Sequence, residues 1–393
     1  MRIAKIEAIP LEASFARAFG GQDKVPPEVL RPAAQFQKIV RAGQYSTLVI
    51  VTADDGARGV GEAFGLPHPT AAAALIEKVV APALIDTPIT EPRAMLEELY
   101  RYFPAIGHTR GPALEALSGV DIALWDLMAR ARDLPLCRLL GGEPGLVPVY
   151  VSPIPFLPSV EASAAAARRL IDAGFVAVKL KIGRGMATDL AHIEATRDAI
   201  GPTAQLMLDC NCAYDEATAI ELGRQLHHHG VTWNEEPIPP GDPASLARVR
   251  AGSSVPIAAG ENDFQLADFR ALIAADAVDV LMPNITRAGG VSGLMAIGEA
   301  CAAGKVGLSP HGVGGAVAVA TALHLCRAAP GFRIYEANRL PNPLRDTLSA
   351  HRFEPVAGSF APPQGPGHGI ELLADQIATW RVPLHIGTPG TRS

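Results

Sequence analysis

A chain of 393 residues is long for one hydrophobic core and points to two domains. Its apolar share of 48% supports a large core and argues against global disorder, while a formal charge of −6 with no long basic run argues against a nucleic-acid surface. Met1 to Glu7 is too charged for a secretory apolar core, no apolar stretch is long enough to span a bilayer, and five scattered cysteines (Cys137, Cys210, Cys212, Cys301, Cys326) suit a reducing compartment, so the expected location is cytoplasmic, with no membrane partner.

The first 140 residues read as an α+β domain. Ile3 to Leu11 alternates like a strand, and Ser46 to Thr52 is a stronger one. Asp54-Asp55-Gly56 signals a turn, after which Gly59 to Ala63 returns as a hairpin partner. Helical stretches follow near 70–84, 91–103 and 112–132, the last carrying Leu117, Val120, Leu124 and Leu127 at three- and four-residue steps. Leu139-Leu-Gly-Gly142 with Pro144 then punctuates the chain as a domain boundary.

From residue 141 to 350 the pattern is that of a (β/α) barrel. Val147 to Val151 is its first strand, and seven further apolar runs each lead to a polar residue: Lys179 and Lys181, Asp209, Glu235, Glu261, Asn284, His311 and Glu336. From Lys181 the steps are 28, 26, 26, 23, 27 and 25 residues, the length that a strand, a helix and two loops require in a (β/α)₈ barrel. Val160 to Ala173 and Asp215 to His229 read as helices, each followed by the glycine that favours a helix end. After 350 the Pro/Gly-rich segment through residue 393 is too irregular for more barrel and is expected to pack back on the first domain.

Such barrels carry their chemistry at the C-terminal strand ends. Asp209, Glu235 and Glu261 stand on three successive ends, and adjacent parallel strands are about 4.8 Å apart, so three acids can converge. An all-oxygen set suits a hard divalent cation, Mg²⁺ before Mn²⁺; single strand-end acids are usually only solvated, but three in step with the barrel are not. Lys179 and Lys181 are two apart on a strand and face one side. There each ammonium favours proton loss from the other, which makes a lysine usable as a base. His311 occupies the seventh strand end before Gly312-Val-Gly-Gly315, whose spacing is not a dinucleotide fingerprint. Glu336 either hydrogen-bonds a developing oxyanion as a protonated acid or pairs with an arginine such as Arg339. His227-His-His229 splays around a helix end and reads as a terminus rather than a metal site, and Cys210 and Cys212 read as packing groups. Substrate selection is expected from cap loops after strands, Ala18 to Lys24 and Phe64 to His68, with Gly20, His68 and barrel residue Asn211 as candidate substrate contacts.

Taken jointly, Ala116 to Asp126, Leu139-Leu-Gly-Gly142, Val178-Lys-Leu-Lys-Ile-Gly183, Leu208-Asp-Cys-Asn211, Trp233-Asn-Glu-Glu-Pro237, Gly260-Glu-Asn262, Gly289-Gly290 and Gly365-Pro-Gly-His-Gly369 resemble the enolase superfamily, in its mandelate racemase/muconate-lactonizing branch. The resemblance spans essentially the whole chain and implies Mg²⁺ on Asp209, Glu235 (rather than Glu236) and Glu261. It further implies Lys181 as base with Lys179 beside it, His311 on the opposite substrate face, and removal of a proton α to a carboxylate to give an enediolate. Racemase-like members carry an aspartate paired with the histidine; here Asn284 stands at that position. Its amide oxygen is expected to accept the imidazole N–H, leaving His311 a poorer base than a carboxylate would make it. The leading expectation is a Mg²⁺-dependent dehydratase of a hydroxylated (sugar) acid, with Lys181 and His311 as base and acid in either order. The alternatives are a racemase or epimerase and a catalytically impaired carboxylate-binding homologue. The expected partners are a small-molecule carboxylate and further copies of the chain in a homo-oligomer.

Overall fold

The computed structural model describes residues 1–384. Three antiparallel strands open the chain, β1 (Ile3–Ser14), β2 (Gly43–Ala53) and β3 (Arg58–Phe64), with β2 central. The turn joining β2 to β3 bends at Gly56, whose φ of +88° suits glycine. Short helical pieces between Thr70 and Leu84 and between Pro92 and Ala105 lead to α1 (Pro112–Ala131). The face carrying Leu117, Val120, Leu124 and Leu127 packs with Val49, Val51 and Ala63 of the sheet in one buried cluster. Gly61 permits that approach: a Cβ there would stand 2.0 Å from the Gly119 carbonyl oxygen of α1.

The barrel follows as β4 (Val147–Ile154), α2 (Val160–Asp172), β5 (Ala177–Lys181), α3 (Met186–Ile200), β6 (Gln205–Asp209), α4 (Glu216–Gln225), β7 (Val231–Glu235), α5 (Pro243–Gly252), β8 (Ile257–Ala259), α6 (Leu266–Ala274), β9 (Val280–Leu281), α7 (Gly290–Gly304), β10 (Gly307–Leu308), α8 (Ala316–Cys326) and β11 (Tyr335–Asn338). Neighbours in sequence pair in parallel, and β11 returns to pair with β4. A single bridge, Leu308 to Phe332, joins the β10 side to the segment entering β11. Among the described residues β11 is not followed by an eighth barrel helix, so the repeat is strand-closed with seven helices between eight strands. Instead the chain turns under the barrel, where β12 (Ser359–Phe360) pairs with the start of β4.

Alternation along β5 explains the division of labour. Val178 and Leu180 point out into the cluster shared with α3 and α4, whereas Lys179 is buried inside the barrel over Tyr150, its Nζ 5.5 Å from the ring centroid. The barrel floor beneath is Tyr150, Ala177, Met207, Trp233, Ala258, Val280 and Met282. Among the described residues no helix is long and apolar enough to cross a membrane.

Polar contacts fasten the cap and the tail to the barrel. Glu62 of β3 accepts the Gly315 and Ala318 amides at the start of α8, at 2.6 and 2.9 Å. Asp126 of α1 accepts the His368 amide at 2.9 Å. On α8, His324 Nδ1 accepts the Cys137 amide at 3.3 Å, so its proton lies on Nε2 and is donated to the Pro363 carbonyl at 3.1 Å. Burial, reinforced by His368, pushes the His324 pKa down from 6.5 to about 4. The unfolded chain therefore takes a proton on this residue in a window where the fold refuses it. The contribution is complete above pH 6.5 and is lost as pH falls toward 4, amounting to about 3 kcal/mol. Urea midpoints compared at pH 7.5 and 4.5 should fall more for the wild type than for His324→Gln.

Candidate active site

Strand register sets the row. Lys181 pairs with Asp209, and Asp209 pairs with Glu235, so three polar side chains stand level on β5, β6 and β7. Glu261 reaches the same point from the loop two residues beyond β8. One carboxylate oxygen from each of Asp209, Glu235 and Glu261 lies within 4.8 Å of the others. Glu235 Oε1 is buried with no hydrogen-bond partner, and Glu261 Oε2, likewise buried, is approached only by His311 Nε2, at 3.0 Å. Buried carboxylates left this way are costly unless something positive meets them. Five buried acids gather here, Asp209, Glu235, Glu236, Glu261 and Glu336, against the ammoniums of Lys179 and Lys181. This all-oxygen, negatively unbalanced donor set fits a divalent cation.

Glu236 is differently placed. Its φ of +40° turns it away from the row, and Asn262 Nδ2 donates to both its oxygens, at 2.9 and 3.1 Å. Its lone pairs are used, whereas Glu235 retains a bare oxygen.

The two lysines separate. Lys179 is completely buried, with Nζ 2.7 Å from Glu235, 3.1 Å from Glu336 and 3.3 Å from Asp209. Burial alone would lower its pKa, but Glu235 and Glu336 hold it well above the usual lysine range. Lys181 touches Asp209 Oδ2 at 2.5 Å and also lines the open cavity. Burial is the largest influence and lowers its pKa, as does Lys179, but Asp209 together with Glu261 and Glu235 outweighs them and the net shift is upward. The repulsion between lysines anticipated from their spacing is thus present, but contact with the acids outweighs it. Asp209 is the largest of the three acidic influences that keep Lys181 protonated. If Asp209 is engaged by a cation, burial and Lys179 remain, and both favour the free amine.

Glu336 departs from both expectations. It lies second in β11 rather than at the strand end, and its partner is Lys179, not Arg339, which turns to the Phe353 carbonyl at 3.2 Å. Burial pushes its pKa up, but Lys179 and His311 more than reverse that and hold it well below the usual carboxylate range. Glu336 is therefore ionised and accepts the Gly312 amide at 2.8 Å; it is not a protonated donor to an oxyanion.

His311 and Asn284 meet as neighbours, but in the opposite sense to that expected. Asn284 Oδ1 accepts the Thr286 amide at 2.9 Å and the Thr286 hydroxyl at 2.6 Å, while Nδ2 donates to the Val313 carbonyl at 2.9 Å. A flipped amide would set N–H against N–H and oxygen against oxygen. The amino group consequently faces His311 Nδ1 at 2.9 Å and donates to it. The ring proton sits on Nε2, which stands 3.0 Å from Glu261 and 3.6 Å from Glu336 beside the cavity. His311 presents a donor to the site.

A cavity of about 320 Å³ lies over this group. Lys181, Asn211, Glu261 and His311 line it from the barrel, with Asn211 Oδ1 buried and unpartnered. The cap contributes Pro32, Ala33, Gln35, Phe36 and Arg41, together with Phe64 and Leu66. Gly20 and His68 are not in the wall. Gly20 ends a surface helix (Phe15–Phe19), and His68 is half exposed, 2.9 Å from Thr70 and 3.9 Å from Glu12. The 32–41 wall carries no periodicity or turn signal that would have marked it in the sequence. Arg287 was likewise missed: its guanidinium packs over Phe64 at 4.0 Å and Phe264 at 5.1 Å and reaches Glu115 of α1 at 3.2 Å. Cys210 and Cys212 have thiol pKa values pushed up by burial, as suits packing groups.

Residues 26–141 match the N-terminal domain of the mandelate racemase / muconate lactonizing enzyme family, and residues 162–376 match the enolase C-terminal domain-like family. The chain belongs to the mandelate racemase/muconate lactonizing branch of the enolase superfamily. It is 35% identical to the D-galactarolactone cycloisomerase of Agrobacterium fabrum over 86% of this chain and 91% of that protein. It is 29% identical to the arabinonate dehydratase of Saccharolobus solfataricus, over 82% and 87%. The crystal structure of a racemase from Streptomyces coelicolor A3(2) with bound magnesium superposes with a TM-score of 0.86 at 26% identity, covering 97% of this chain and 100% of that one. Membership of this branch supports proton abstraction from an acid substrate, and the relatives' names support an enzyme that is a lyase or an isomerase.

Proposed function

We propose that the protein removes the proton α to the carboxylate of a sugar acid, or of its lactone, and expels an oxygen from the β-carbon. When that oxygen is a hydroxyl, the products are water and a 2-keto-3-deoxy acid. When it is a ring oxygen, the same bond changes open the ring and release nothing, which is an isomerisation. One β-elimination thus covers both the dehydratase and the cycloisomerase names among the relatives.

The observation that carries this reading is the Asn284 amide donating to His311 Nδ1. Racemisation needs a proton acceptor on each face of the α-carbon, and an Nε2 that already bears hydrogen is not one. Elimination needs a base on one side and a donor for the departing oxygen, which matches Lys181 and His311. Of the two orders open from the sequence, this tautomer favours Lys181 as base.

Asp209, Glu235 and Glu261 would hold Mg²⁺, whose positive charge lowers the cost of placing negative charge on the substrate carboxylate. A lysine base beside Mg²⁺ is the established arrangement in this superfamily. The Lys181 amine takes the α-proton and becomes an ammonium. The Cβ–O bond then breaks, its electron pair leaving with oxygen, while His311 Nε2–H hydrogen-bonds that oxygen. A departing hydroxide recovers a proton from the Lys181 ammonium, so one base serves both halves, and the enol product ketonises. Lys179, locked among three carboxylates, contributes charge and does not exchange its proton.

Incubation with Mg²⁺ and a panel of arabinonate, galactonate, galactarate and galactarolactone should yield 2-keto acids, detected as semicarbazones. Silence across the panel contradicts the proposal.

A further inference from the structure

The cap places an unpaired cation in the wall of the catalytic cavity. Arg41 is only 7% exposed and lines the same cavity as Lys181 and His311. Among the described residues no carboxylate pairs with it, and the titrating group whose charge bears on it is the Tyr45 phenol. Glu62, which shares an adjoining wall with Arg41, is turned onto the amides of Gly315 and Ala318. Arg41 Nε is buried with no hydrogen-bond partner. Burial pushes its pKa down to about 10, which still leaves the guanidinium charged at neutral pH.

This arginine is held rather than loose. Gln44 Nε2 donates to the Pro341 carbonyl at 2.7 Å, which aims Gln44 Oε1 at the guanidinium. One of five donors is thereby occupied, and the buried Nε stays free. A fixed, desolvated guanidinium without an acid costs the ligand-free fold stability, and a planar carboxylate is the group its fork fits best.

We propose that Arg41 binds a second carboxylate, remote from the reacting carbon, and that the enzyme selects diacids or their lactones over monoacids. This rests on the β-elimination reading for its turnover arm, since the reacting carboxylate is assigned to the barrel end of the cavity and the second one to the cap.

The test pairs substrates with variants at Arg41. Wild type with Mg²⁺ should show kcat/KM for galactarate or galactarolactone about 100-fold above that for galactonate. Arg41→Met should erase that preference, chiefly through a rise in KM for the diacid, the loss for galactarate exceeding that for galactonate by about 100-fold, and Arg41→Lys should restore part of it. Preference for galactonate in the wild type, or an equal loss for both substrates in Arg41→Met, overturns the proposal. Faster turnover of 6-phosphogluconate than of galactarate also overturns it, by assigning the site to phosphate.

A binding arm stands apart from the reaction. By calorimetry with Mg²⁺, adipate should bind about 10-fold or more tighter than hexanoate to wild type, and equally to Arg41→Met. If no panel acid reacts but this difference holds, the reaction assignment fails and the Arg41 assignment stands. Equal binding of the two by wild type sinks Arg41 whatever the reaction. The melting temperature of ligand-free Arg41→Met should match or exceed that of wild type; a lower one, with diacid preference kept, means that Arg41 is only a structural strut.

Discussion

Replacing Lys181 by methionine should lower kcat by about 10⁴-fold while leaving the fold and metal binding intact. Lys181 is the one amine at the site that both touches the acid row and lines the cavity. Methionine fills similar space without a proton acceptor, so both elimination and exchange of the α-proton with D₂O should disappear together. The same change at Lys179 should act on stability instead. Its ammonium is the shared counter-charge of Asp209, Glu235 and Glu336, and removing it strands buried acids at a cost of about 3–5 kcal/mol. Single-turnover kinetics and urea unfolding on the two variants separate these roles. Retained exchange in Lys181→Met would assign the base elsewhere.

Glu235→Gln should weaken Mg²⁺ binding by at least about 100-fold, measured by calorimetry or by the rise in melting temperature on adding Mg²⁺. The reason is the bare Glu235 Oε1, buried between the other two acids and used by nothing in the protein. Neutralising that side chain removes charge from the donor set and lets Lys179 compete for what remains. Glu236→Gln is the matched control. Glu236 is one residue away and also a buried acid, but its oxygens are committed to Asn262, so metal binding should persist. The pair distinguishes a specific donor from a general need for negative charge. If both changes weaken Mg²⁺ alike, the three-acid assignment fails.

Much of the architecture was legible because the barrel writes itself as a repeat: an apolar run, a polar strand end, a helix, again. That rhythm located Lys181, Asp209 and Glu235, and strand register then set them in one row without further information. Asn284 and His311 were found in the same way, and an isolated bridge joins them. Their hydrogen-bond sense was not legible, because it is decided by Thr286 and Val313, which claim the amide oxygen and one amide hydrogen. The protonation of Glu336 escaped for a related reason: its state depends on Lys179, which only folding brings to 3.1 Å. The cap wall was legible only in part. Of the two loops expected to select substrate, Phe64 to His68 does reach the cavity, through Phe64 and Leu66 rather than His68, whereas Ala18 to Lys24 with Gly20 does not, and the 32–41 segment, with Arg41, supplies the rest of the cap wall. That segment has neither period nor turn chemistry, so its role follows from packing alone.

The claim at the centre of the account is that the site has one base and one donor rather than two bases. NMR of galactarate or galactarolactone incubated with the protein and Mg²⁺ in D₂O tests it most directly. The predicted result is a 2-keto product carrying deuterium at the former β-carbon, with recovered substrate keeping its α-carbon configuration. Recovered substrate that is deuterated and inverted at the α-carbon, with the β-oxygen retained, would show His311 acting as a second base and contradict it.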